Sequence, residues 1–236
     1  MAWRTLTSRC SSPRLTAHWL GRLPYEEGLA LQARAVQARR AGTIGDVLLL
    51  LEHPPVVTLG RGAHEEHLLH SPEELQARGI ELHEAGRGGD VTYHGPGQLV
   101  GYPILALETG RRDAHRYLRD LEQALIDLAG GYGLEAGRIE GLTGVWVGQE
   151  KLAAIGVRLS TGWITSHGFA LNVAEDLSGF ENIVPCGISD RGVTSLARLL
   201  ERAPELQEVA EQAAEHVARC LGRQPAEVGV QQGFSI

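Results

Sequence analysis

The chain has 236 residues, 43% hydrophobic and 22% charged, with a formal net charge of −7, the profile of a soluble globular protein rather than a disordered, fibrous or membrane-spanning one. A chain of this length buries a core without disulfide or metal staples. No basic excess is available to displace counterions from phosphate, which excludes a nucleic-acid binder. The longest apolar runs, such as Val47 to Leu51, fall well short of the ~20 residues that cross a bilayer. Cysteines at 10, 186 and 220 are odd in number and share no metal-ligand spacing, so free thiols in a reducing, cytoplasmic compartment are expected.

In chain order, residues 1–14 read as an N-terminal extension and 15–236 as one domain. Arg4, Arg9, Arg14 and Arg22 stand without an acid among the first 23 residues, a bias shared with organellar transit peptides. No apolar face is sustained there, so a plain terminal extension is expected. Tyr25, Leu29, Ala33 and Val36 recur at helical spacing and predict a helix over 25–40. Asp46 to Glu52 and Val56 to Leu59 are β-prone runs split by Pro54-Pro55, hence two strands at a rigid bend. Ser71, Pro72 and Gly79 supply the N-cap, first position and stop of a short helix. A strand near Ile80 to His83 precedes five glycines in the thirteen residues from Gly86 to Gln98, too many for a helix.

Leu99 to Leu105 resumes as a strand, and Tyr117, Leu121, Leu125 and Leu128 mark a helix over 113–130. Val145 to Val147, Leu152 to Leu159 and Trp163 to Val173 predict an antiparallel meander. Two closing helices are expected from Val193 to Arg202 and from Leu206 to Leu221. No repeat or linker divides the chain. The fold class expected is α+β, one domain built on a mixed sheet with flanking helices.

Three features carry chemistry. The glycine-rich segment from Ala85 to Gln98 is either a turn between strands or a ligand loop whose bare backbone approaches its guest; Thr92, Tyr93, His94 and Gln98 give it polar reach beyond a turn's needs. It lacks the order of a Walker loop and of a dinucleotide fingerprint. Of the 22 basic residues, all but Lys151 are arginine; a desolvated lysine is able to exchange its proton near neutral pH and a guanidinium is not. Cys186, in Pro185-Cys186-Gly187-Ile188, is either packing or a nucleophile. Beside an ammonium a thiol favours its thiolate, and the amine then shuttles protons. His64, His67 and His70 fan round more than one helical face and read as solvated rather than metal-binding.

Together, the run Arg87 to Gln98, the run Lys151 to Arg158, the run Ser166 to Val173 and Pro185 to Ile188 resemble the ordered motifs of the lipoyl(octanoyl) transferases, or lipoate-protein ligase B family. The resemblance spans about residues 15 to 200. It implies a fold of the biotin/lipoate protein ligase catalytic-domain type. It also implies transfer of an octanoyl group from acyl carrier protein through a cysteine thioester to the lysine of apo-lipoyl domains, those of 2-oxoacid dehydrogenase complexes and of the glycine cleavage H protein. Carried onto this sequence, Cys186 is the nucleophile and Lys151 its acid and base. Arg87, Gly88, Gly89, Asp90, Val91, Thr92, Tyr93 and His94, with Ala154, Ile155 and Gly156, and Gly168, Phe169 and Ala170, line the acyl site. No cofactor, metal, nucleic acid or membrane is implied. Thioester exchange is nearly balanced and the final amide is more stable, so ATP is not required.

Two other readings share the fold: an ATP-dependent lipoate or biotin ligase, in which a lysine also binds the acyl group, and a non-catalytic lipoyl- or acyl-binding module. Lys151 does not discriminate against the ligase, but Cys186 and the run from Arg87 to Gly97, which lacks the ligase's longer SGGG-type stretch, favour transfer, and the presence of both Cys186 and Lys151 argues against a non-catalytic module. Carrier domains are acidic, so a basic docking patch is expected on this acidic chain, and Arg111, Arg112, Arg116 and Arg119 form a candidate against the alternative of a solvated helix face.

Overall fold

The run Val47 to Leu51 is apolar at every position because both its faces are covered. Strand β2 (Asp46–Glu52) sends Leu48 and Leu50 into one cluster and Val47, Leu49 and Leu51 into another. The protein is described from a computed structural model over residues 12–184 and 191–230. The first cluster holds helices α3 (Ala114–Gly131) and α5 (Leu206–Cys220) against one face of the sheet. The second holds α1 (Tyr25–Ala41) against the other.

Eight strands form the main sheet in the order β11 (Gln224–Val230), β1 (Arg14–Arg22), β2, β6 (Gln98–Ile104), β10 (Ile164–Asn172), β9 (Glu150–Ser160), β8 (Leu142–Val147) and β7 (Ala136–Ile139). The pairs β11–β1 and β1–β2 are parallel and every other pair is antiparallel. The meander expected from β8 to β10 is present. A second sheet, β4 (Glu81–Glu84), β3 (Val56–Leu59) and β5 (Val91–His94), has its own core around Val57, Val91, Tyr93 and Phe180. The short helix α2 (Pro72–Ala77) begins with Ser71 as N-cap and Pro72 in its first turn, as its sequence predicts, and Glu74 completes a capping box.

Several elements depart from the sequence reading. Residues 14–22 form β1, paired on both sides inside the sheet, a strand for which the sequence gives no signal. Strands β5, β7 and β11 form where the sequence suggests loop or gives no strand signal. The predicted helix from Val193 to Arg202 shortens to α4 (Leu196–Leu199), because Val193 bridges Lys151 and Thr194 N donates to the Lys151 carbonyl at 3.0 Å. Among the described residues, no helix is long and apolar enough to cross a membrane.

Candidate active site

The glycine-rich segment closes over β9 and β10. Gly88 N donates to Val157 O at 3.0 Å, and a Cβ on Gly156 would lie 2.9 Å from both Gly88 O and Arg87 Cδ. Gly156 stands opposite Gly168 across the β9–β10 ladder. With no side chain at Gly156 the loop approaches β9, while the bare Gly168 lets β10 close on Gly101 and Pro103 of β6; the cavity left is about 430 Å³, within the ~300–1,000 Å³ of small-molecule sites. Its lining includes Arg87, Gly88, Gly89, Asp90, Val91, Thr92 and His94, then Lys151, Ala154, Ile155 and Gly156, then Gly168, Phe169 and Ala170. All of these belong to the site expected from the sequence.

Tyr93 is the exception. Side chains alternate along a strand, and Tyr93 of β5 turns to the core of the small sheet, its ring 5.6 Å from Phe180. It does not line the cavity.

Lys151 is buried on β9 where the β8–β9 register shifts, and its Nζ lies 4.8 Å from the centre of the Trp146 ring, within cation–π reach. Its backbone is held by the chain just before α4: Lys151 N donates to Gly192 O at 2.9 Å.

Arg87 staples the loop to the small sheet. Its Nη2 donates to Thr58 O at 2.7 Å and to Thr58 Oγ1 at 2.9 Å, and its Nη1 donates to Asp90 O at 2.7 Å. Asp90 holds the other side of the loop: its Oδ2 lies 2.6 Å from His67 Nδ1, and its Oδ1 accepts from Val91 N at 2.7 Å. His67 is therefore half-buried in an acidic contact and not solvated as its spacing suggests. Among the described residues, no group of three side chains is arranged to hold a metal.

Beneath the loop runs a buried polar chain. The Thr58 hydroxyl, already accepting from Arg87, faces His94 Nε2 at 3.4 Å, and His94 Nδ1 donates to Gln98 Oε1 at 2.7 Å. Gln98 Nε2 lies 3.0 Å from Asn172 Oδ1 and 3.0 Å from Glu175 Oε2, and Asn172 Nδ2 donates to Thr194 O at 2.9 Å. Desolvation drives His94 down to about 3 and pushes the Glu175 carboxyl up to about 9. Both are thus neutral at pH 7.

Tyr25, Tyr102 and His167 also line the cavity. The Tyr102 hydroxyl donates to His53 Nε2 at 2.8 Å, with His53 Nδ1 donating to Leu23 O. Burial lowers His53 and His167 to about 4 each. His167 has φ 55°, and its N–H donates to Gln32 Oε1 of α1 at 2.8 Å. The sequence marks Tyr25 only as a helix-core residue and gives Tyr102 no role. His167 lies within the motif run Ser166 to Val173, though the sequence assigns it no role of its own.

Pro185, Cys186, Gly187 and Ile188 lie outside the described residues. Their described flanks are both tied near the cavity: Val184 N donates to His67 O at 2.8 Å, and Gly192 and Thr194 bracket Lys151. The candidate docking arginines are engaged by their own helix and its surroundings. Arg111 pairs with Asp120 and the Cys220 carbonyl, Arg112 with Leu107 O, Arg116 with Gly110 O and Arg119 with Glu122. That favours a solvated, locally paired face.

The profile of the lipoyl protein ligase A/B catalytic domain matches residues 24–218. An octanoyltransferase of Solibacter usitatus is 58% identical over 200 residues, covering 85% of this chain and 90% of its own. One of Chloroflexus aurantiacus (strain J-10-fl) is 52% identical, covering 89% and 96%. Among solved structures, a bipartite lipoate protein ligase of Thermoplasma acidophilum superposes with a TM-score of 0.70 at 17% identity, covering 94% of this chain and 88% of that one. The biotin protein ligase of Aquifex aeolicus gives 0.54 at 13%, covering 87% and 70%. The ligases share the fold. The chain belongs to the octanoyltransferases of the lipoyl protein ligase A/B catalytic-domain family.

Proposed function

We propose that the cavity receives the octanoyl chain of an acyl carrier protein thioester, that Cys186 takes over the acyl group, and that Lys151 carries the protons on its way to the lysine of an apo-lipoyl domain. In the first stage the Lys151 amine accepts the Cys186 proton, the thiolate adds to the carrier thioester, and the departing carrier thiolate takes that proton back. One thioester replaces another. In the second stage the acceptor lysine attacks the Cys186 thioester, Lys151 accepts the amine's proton, and the Cys186 thiolate leaves and is reprotonated as the amide forms.

The observation that carries this reading is the burial of Lys151 in the cavity wall, with Gly192, shortly after the Cys186 segment, accepting from Lys151 N. The uncharged parts of the wall, among them Ala154, Gly156, Gly168 and Ala170, suit a saturated chain, which gains from leaving water. Cytoplasmic location accords with the odd count of three cysteines in the sequence.

The test is transfer from octanoyl-carrier protein to an apo-lipoyl domain without ATP, for the native chain and for Cys186→Ser. Turnover by the native chain and none by the variant is expected; appreciable transfer by the serine variant overturns the role of Cys186. Gly156→Ala tests the cavity. Its new methyl group meets the Gly88 carbonyl, so the loop must lift from β9. Overpacking of this kind costs about 1–3 kcal/mol of stability, and the octanoyl donor's KM is expected to rise about tenfold. Thermal melting and steady-state kinetics read the two effects separately, and an unchanged KM contradicts the assignment of this wall.

A further inference from the structure

One wall of the cavity comes from the edge of the main sheet. Gly141, Leu142 and Thr143, at the turn and first residues of the β7–β8 hairpin, line it together with Leu118 of α3. An edge hairpin this short, whose β7–β8 register is broken between Gly137 and Ile139, has few ladder bonds to hold it. Its anchor is a side chain. Glu122, one turn beyond Leu118 on α3, is fully buried. Its Oε1 accepts from Gly144 N at 3.1 Å, while its Oε2 accepts from Arg138 Nε at 2.7 Å and from Arg119 Nη1 at 2.6 Å. Arg138 Nη2 adds bonds to Arg119 O at 3.0 Å and Gln123 Oε1 at 3.1 Å. One carboxylate therefore grips both strands of the hairpin.

Gly144 links this anchor to the chemistry. It has φ 126°, and a Cβ there would lie 3.5 Å from Lys151 Cε and 2.6 Å from Ala153 O. The backbone that Glu122 holds is thus the surface against which the Lys151 stem lies.

We propose that Glu122 is a positioning residue for octanoyl transfer: through Gly144 and Arg138 it fixes the hairpin that closes one cavity wall and backs the Lys151 side chain. The proposal rests on the assignment of the cavity to the acyl chain and of Lys151 to proton transfer. A glutamine at this position presents one oxygen where two are needed and turns an amide N–H toward Gly144 N–H or toward the two guanidinium groups. The hairpin then loosens while α3 keeps its packing.

The test uses the full chain, as native protein, Glu122→Gln and Arg138→Gln. The second substitution removes only one of the three donors and lies at a partly exposed side chain, so it keeps the question answerable should Glu122→Gln fail to fold. Three quantities are read where each protein is fully folded: amide hydrogen exchange over residues 138–144, calorimetric affinities for octanoic and dodecanoic acid, and kcat and KM of transfer. Faster exchange confined to the hairpin is expected. The octanoic-to-dodecanoic affinity ratio is expected to fall about fivefold, because a displaced wall no longer limits chain length. A kcat lower by about tenfold is expected in Glu122→Gln, with a smaller loss in Arg138→Gln.

A lower melting temperature with native affinity ratio and native kcat in the folded variants overturns the proposal, since Glu122 is then structural only. Native protein that binds octanoic acid but transfers nothing contradicts the proposed function, while exchange and affinity ratio still decide whether the hairpin shapes the cavity. Native protein that binds neither acid contradicts both.

Discussion

Lys151→Arg is expected to lower octanoyl transfer by about 10²–10⁴-fold, the range of a lost general acid–base group. The substitution keeps a cation over Trp146 and removes the only amine among the basic side chains of the chain. A guanidinium holds its proton throughout, so it stabilises the Cys186 thiolate yet neither accepts nor returns a proton. Single-turnover measurement resolves the two stages. Acylation of Cys186 survives in part, because a thiolate favoured by positive charge still attacks. Transfer to the acceptor lysine suffers more, since the attacking amine must shed a proton. Full activity of Lys151→Arg confines Lys151 to electrostatics and contradicts its acid–base role.

Glu175→Gln is expected to change the pH dependence of stability by about 4 kcal/mol between pH 5 and pH 8. The carboxyl titrates near 9 in the folded protein, pushed up by desolvation, against an ordinary value of 4.5. Between those values the unfolded chain loses the proton that the folded chain keeps, so unfolding is favoured increasingly as pH rises. Below 4.5 both states are protonated and the effect vanishes. The amide of the variant keeps an acceptor for Gln98 Nε2 and does not ionise. Any fixed cost of that amide cancels in the comparison of the two pH values.

Denaturant unfolding should therefore show the variant gaining on the native protein from pH 5 to pH 8, and a constant difference contradicts the neutral state of Glu175. The acid side should not change. His94, His53 and His167 titrate near 3, 4 and 4 in the folded state because burial disfavours their charged forms. The unfolded chain takes up those protons first as pH falls below 6.5, and both proteins lose stability there.

What the sequence makes legible follows from burial. Strand β2 is readable because four leucines in a row require cover on both faces, and α2 because Ser71, Pro72 and Glu74 encode its first turn locally. Strand β1 is not, since Arg14, His18 and Arg22 interrupt its apolar alternation and its place depends on partners 30 and more residues away. Strand β11 carries Pro225 and Gly229, which read as turn but are tolerated at the sheet edge. The glycine-rich segment declares itself through density of unusual residues. The face that each residue presents does not: Tyr93 sits in the motif but points away from the cavity, while Tyr102 sits outside it and lines the cavity. Leu118 and the hairpin that Glu122 holds come from tertiary packing, for which no local pattern exists.

The central claim is covalent passage of the acyl group through Cys186. Intact-protein mass spectrometry of the chain mixed with octanoyl-carrier protein in the absence of ATP, followed by peptide mapping, tests it most directly. The account predicts an octanoyl adduct on Cys186 that disappears when an apo-lipoyl domain is added. An unmodified protein that instead couples free octanoic acid to the lipoyl domain only when ATP is supplied would contradict it.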